Sequence, residues 1–132
     1  MNMLGGLPGF LAYLVAGTAL LAAFLVVYVR ITPYREFPLI REGNVAASIS
    51  LLGALLGFTL PLASAIAHSV SLPDMLAWGG VALFVQASVY LGLVRWIPEI
   101  SAGIPRGEVA HGLFLGGASL AAGILNAACM TY

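Results

Sequence analysis

"REGNVAASISLLGALLG" (41–57) opens on an Arg–Glu pair and an Asn, then runs on without a charge. "PRGEVAHGLFLGGASLAAG" (105–123) does the same again. An α-helix rises about 1.5 Å per residue, so about 20 apolar residues cross a hydrocarbon core about 30 Å thick. The run that starts at 45 lasts to 67, and three others occupy 9–29, 75–94 and 109–132, each 20 to 24 residues long. They are apolar all round, without the alternation over about 10 residues that a membrane strand requires. The fold class read from this pattern is an all-α membrane protein with four transmembrane helices.

Composition agrees. Of 132 residues, 61% are hydrophobic and 8% charged, with no lysine, where a soluble domain carries about 25% charged residues. The lipid bilayer is the expected partner. Zero net charge gives no reason to expect a nucleic-acid partner. Cys129 stands alone, cannot form an intramolecular disulfide, and reads as a small buried apolar residue. The start, "MNMLGGLPGF", lacks a basic region and precedes a run too long for a signal peptide, so the first helix is expected to stay in the mature chain.

Arginine sets the orientation. Arg30, Arg35 and Arg41 fall in the first charged loop (30–44), Arg95 and Arg106 in the second (95–108). The opposite side has only His68 and Asp74. Positive loops stay in the cytoplasm, so both termini are expected in the periplasm. Trp78 and Trp96, 18 residues apart or about 27 Å along a helix, suit the two interfaces, and Tyr28, Tyr34 and Tyr132 fall near helix ends.

The opening stretch recurs because the chain repeats itself. At an offset of 64, residues 44–65 match 108–129 at seven positions, among them Val45/Val109, Leu51/Leu115 and Gly53/Gly117. At an offset of 65, Pro8/Pro73, Arg30/Arg95 and Pro33/Pro98 pair. The expected units are 1–68 (spans 9–29 and 45–67) and 69–132 (spans 75–94 and 109–131). Each holds two spans, so the repeats are parallel, related by a pseudo-two-fold axis along the membrane normal.

With "ITPYREFPLIREGNVAAS", "LPDMLAWGG" followed by Gln86, and the ending "GILNAACMTY", the chain resembles the DUF350 (UPF0719) family of bacterial inner-membrane proteins over nearly its whole length. The resemblance implies a four-helix protein of the cytoplasmic membrane built from two copies of one unit, and no reaction. It also implies a neighbourhood of ATP-grasp ligases and phage-shock-like proteins, hence envelope or polyamine physiology. The second copy departs from the family's Asn-x-Ala-Ala, reading Glu108-Val109-Ala110-His111.

Individual residues carry two readings each. Asn44 and Glu108 stand where helices begin, the first suited to capping or to binding, the second to the positive end of a helix dipole. Arg35, Glu36, Arg41 and Glu42 read as cytoplasmic-loop charges. Gly53 and Gly57, with Gly112, Gly116 and Gly117, form small faces for close helix packing, within the chain or between copies. Pro61 removes a hydrogen bond to the Gly57 carbonyl and is expected to bend its span, with Thr59 and Ser64 near enough to bond locally. Asn126, a further candidate pathway or interhelical polar residue, lies toward the outside, where water or headgroups can satisfy it. Gln86 lies near mid-span, where an unpaired amide costs several kcal/mol; it must bond another helix, through Thr18, Thr59 or Ser119, or face a wet cavity. Glu108 and His111 share a face, but two ligands do not make a metal site. No metal or cofactor is expected.

No Asp or Glu falls inside a span, and no Ser–His–Asp set, HExxH motif or phosphate loop occurs, so an enzyme is not expected. Two functions remain. In one, a homo-oligomer, most simply a dimer, passes an ion or small solute along Gln86, Ser88, Pro61 and Ser64. In the other, the chain is a membrane anchor whose loops recruit a cytoplasmic protein partner.

Overall fold

A computed structural model describes residues 3–130, which form six helices: α1 (Met3–Ile31), α2 (Glu36–Arg41), α3 (Val45–His68), α4 (Leu72–Trp96), α5 (Pro98–Gly103) and α6 (Val109–Cys129). The helices α1, α3, α4 and α6 are long and apolar enough to cross a membrane. Tyr132 and the last residues of the final expected span lie outside the described residues. α1 begins before the expected position 9 and carries Pro8 inside it. α4 begins at Leu72 because Ser71 caps it, its hydroxyl accepting from the Asp74 N–H at 3.3 Å.

The two charged loops are not extended. Each contains a short helix, α2 or α5, followed by a glycine in the left-handed region, Gly43 (φ +85°) or Gly107 (φ +77°). Only glycine takes that conformation at no steric cost. The hydrogen bonds correspond as well. Gly43 N–H donates to the Ile40 carbonyl at 3.0 Å, and Asn44 N–H to Leu39 at 2.9 Å. Sixty-four residues on, Gly107 N–H donates to Ile104 at 2.9 Å, and Glu108 N–H to Gly103 at 3.1 Å.

The most intimate pair is α3 with α6, and α4 lies against α1, α3 and α6. Glycine makes the α3–α6 seam possible. A Cβ on Gly53 would strike the Gly116 backbone, one on Gly112 the Ala46 carbonyl, and one on Gly123 the Gly57 carbonyl. The last of these is the carbonyl that Pro61, four residues on, leaves without its helical partner. In lipid, where apolar attraction between helices is weak, such close backbone approach supplies the dispersion energy that holds them. Gly117 stands apart from the seam, with nothing within 4 Å of where its Cβ would be.

α1 is the least enclosed helix. Its first half is exposed from Gly5 through Leu11, while Phe24 and Tyr28 in its second half are buried. Phe24 stacks on Phe58 of α3 with ring centroids 4.7 Å apart, and Tyr28 tilts against Tyr90 of α4 at 4.6 Å. Cys129 is exposed, not buried as its residue type suggested, because it falls on the outer face of the last turn of α6.

Candidate functional site

At the arginine-bearing end of the bundle, four elements bring hydroxyls together. The Tyr28 hydroxyl of α1 lies 3.0 Å from Ser50 Oγ of α3. Tyr34, in the link after α1, lies 3.3 Å from both Ser50 Oγ and the Tyr90 hydroxyl of α4. All four residues are buried. Tyrosine suits the place: its ring fills apolar space while its tip finds a polar partner.

Glu36 completes the cluster. It is 1% exposed, and neither carboxyl oxygen has a hydrogen-bond partner among the described residues. Its reading as a loop charge, shared with Arg35, Arg41 and Glu42, does not anticipate this burial. In α2 it shares a stripe with Leu39 and Ile40, three and four residues on, and both of these pack on the core. Arg35, Arg41 and Glu42 take the exposed side. Burial pushes the Glu36 carboxyl up to about 7, against the opposing pull of the nearby Tyr28 and Tyr34 hydroxyls, neither of which closes a hydrogen bond to it. Burial, with Glu36 beside it, also raises the Tyr34 phenol.

Deeper in the bundle, Gln86 is 2% exposed, and its Nε2 donates to the Ser119 carbonyl of α6 at 3.2 Å. The backbone carbonyl, not the hydroxyl, is the partner. Gln86 Oε1 and Ser119 Oγ are both buried without a partner among the described residues. Gln86 and Tyr90 lie four residues apart on the inner face of α4, about 6 Å along its axis.

The other expected pathway residues are not gathered around Gln86. Ser88 is exposed and lines an outer hollow with Val89, Gly92, Leu93 and Trp96; two residues along a helix turn a side chain to the opposite face. Ser64 Oγ donates to the Ala127 carbonyl at 3.4 Å, nearer the α3 C-terminus. Asn126 is half-buried, and its Nδ2 has no partner among the described residues, so neighbouring protein, not only water, surrounds it. Pro61 is buried within an unbroken α3. Thr18 and Thr59 are exposed, and Thr59 Oγ1 bonds its own helix at Leu55 O, 2.7 Å away. Surface hollows on α1, on the α3–α6 face and at the α4 end are lined mainly by apolar side chains, and none of these is lined by Gln86.

At the loops, Asn44 Oδ1 accepts from the Ala47 N–H at 2.9 Å, while its Nδ2 donates to the Ile104 carbonyl at 2.8 Å. Glu108 occupies the matching position but makes no side-chain cap. Its carboxylate lies 3.2 Å from His111 Nδ1 and 3.4 Å from Arg106 Nε. Among the described residues no group of three His, Cys, Asp or Glu side chains gathers as a metal site.

A family model described as a domain of unknown function, DUF350, matches residues 2–130. The chain is 46% identical to the UPF0719 inner membrane protein YjfL of Escherichia coli K12, over 100% of both chains. It is equally similar to the protein of that name from Escherichia coli O157:H7. No solved structure matches.

Proposed function

The chain belongs to the DUF350 family, and from that premise we propose that it forms, as a homo-oligomer, a gated route for an ion or small solute through the inner membrane. The observation that carries this reading is the half-satisfied polar interior. A buried polar network with unpaired members is worse for stability than an apolar core, and polar groups kept inside a membrane bundle mark routes for ions and solutes. Gln86, Ser119, Tyr90, Tyr34 and Ser50 provide such groups from mid-bundle to the arginine-bearing end, with Gln86 Oε1 and Ser119 Oγ left without a partner among the described residues at the inner end. Toward the other end, buried Leu62, Ala65 and Met75 close the route in this conformation.

Two parallel repeats, 1–68 and 69–132, are part of the proposal. They are supported by the matched short helices, matched left-handed glycines and matched loop hydrogen bonds. Cytoplasmic loops and periplasmic termini are supported by five exposed arginines confined to one end. Because Gly53, Gly57, Gly112 and Gly116 are occupied within the chain, the oligomer contact is assigned to other surfaces, such as the open first half of α1.

Vesicles reconstituted with wild type and with Gln86→Leu test the route. An apolar side chain at that depth favours dewetting, so flux is expected to fall sharply while melting temperature and oligomer size hold nearly constant. Unchanged flux for every tested ion and solute, with a clearly lower melting temperature, would return Gln86 to a bonding role. That outcome favours the alternative: an anchor, not an enzyme, recruiting a cytoplasmic partner through 30–44 in envelope or polyamine physiology.

A further inference from the structure

We propose that Glu36 is a reversible proton-binding site, built by Tyr28, Tyr34, Tyr90 and Ser50 at the arginine-bearing end of the bundle. It deepens the route reading by naming the proton as the ligand that the route carries or senses.

Three observations support it. First, the carboxyl is enclosed and, among the described residues, closes no hydrogen bond, with only the Tyr28 and Tyr34 hydroxyls near enough to favour its charge, a costly arrangement for a carboxylate and a cheaper one for an acid. Second, no cation among the described residues pairs with it. The elements packed around it bring Tyr28 from α1, Tyr34 from the link and Tyr90 from α4 near it, and Ser50 from α3 lies within hydrogen-bond distance of the first two of these hydroxyls. Arg30, Arg35, Arg41 and Arg95 are exposed, and none makes an ion pair among the described residues. Third, the surrounding groups are hydroxyls, which both donate and accept. A turned hydroxyl accepts from the acid O–H when Glu36 is protonated and donates to the carboxylate when it is not. A metal cation would need several oxygens already arranged around a gap, whereas a proton needs only the carboxyl itself.

The exchange is simple. The acid O–H bond breaks, the carboxylate keeps the electron pair, and the proton passes to water on the outer side of α2; binding is the reverse. Ionisation leaves an uncompensated charge beneath α2, which favours admission of water or displacement of that six-residue helix.

Infrared difference spectra of the protein in lipid nanodiscs, titrated from about pH 4 to about pH 9, read the protonated carboxyl directly. Wild type is expected to lose one acid carbonyl band with a midpoint near 7. Glu36→Gln is expected to lack that band, and Glu36→Asp to retain one. Loss of all acid bands by about pH 5, the ordinary carboxylate range, would overturn the proposal, and needs no variant to fold. Persistence of the neutral-range band in Glu36→Gln would overturn it too. A band that titrates as expected in protein that passes no tested ion or solute supports the proton site while ending the route reading.

Discussion

The Asn44 side chain joins two loops that lie 60 residues apart: its Nδ2 donates to the Ile104 carbonyl at 2.8 Å while its Oδ1 caps α3 through the Ala47 N–H at 2.9 Å. One amide thus satisfies a helix end and fastens the first half of the chain to the second.

The two roles can be separated. Asn44→Ser keeps a capping oxygen but is too short to reach Ile104, and is expected to cost about 1 kcal/mol. Asn44→Ala loses both contacts, at about 2 kcal/mol. Thermal unfolding in detergent should rank wild type above Ser above Ala; equal melting temperatures for Ser and wild type would show that the cross-loop bond contributes nothing.

At Gly53 a Cβ meets the Gly116 backbone, whereas at Gly117 it meets open space. Gly53→Ala is therefore expected to destabilise the monomer itself by about 1 to 3 kcal/mol, and Gly117→Ala to stay within about 0.5 kcal/mol of wild type. Melting temperatures over a range of protein-to-lipid ratios check this. If Gly53→Ala shifts only oligomer size, the seam lies between copies instead of within one.

Stability is expected to depend on Glu36 through pH. Its carboxyl titrates at about 7 in the fold, against 4.5 in its ordinary state. The folded chain therefore binds more protons than the unfolded one between those values, and stability falls as pH rises through that window. The loss at full ionisation is on the order of 3 kcal/mol. Unfolding measured at about pH 5 and about pH 8 should show it in wild type and largely abolish it in Glu36→Gln. A wild type more stable at the higher pH reverses the sign and removes the argument.

For orientation, periplasmic reporters fused after residue 132 are expected to be active and those inserted within 30–44 inactive. The opposite pattern places the arginine-bearing loops outside.

The spans were legible because absence of charge over 20 residues has few other physical causes in a chain of this composition. The glycine spacing pointed to close packing, but not to its address: GxxxG reads the same whether the facing helix belongs to the same chain or another. Glu36 was hidden by its neighbours. Between Arg35 and a loop Pro38 it looks solvated, and a six-residue helix is too short for periodicity to announce itself. The available signal was its three- and four-residue spacing to Leu39 and Ile40, which places the carboxyl on the apolar stripe. Gln86 stood out by depth alone, yet its partner, a backbone carbonyl, leaves no mark in a sequence.

The α3–α6 seam has a mechanical meaning. Where backbone rests on backbone, at Gly53 against Gly116 and Gly123 against Gly57, there are no rotamers to rearrange and no neighbouring groove into which the contact can step. A slide of either helix by one turn would drive a β-carbon or a larger side chain into a space that holds only a glycine. The pair therefore behaves as a fixed keel with a single register, and in the proposed route any alternation between closed and open forms falls to α1, α4 and the small helix that carries Glu36.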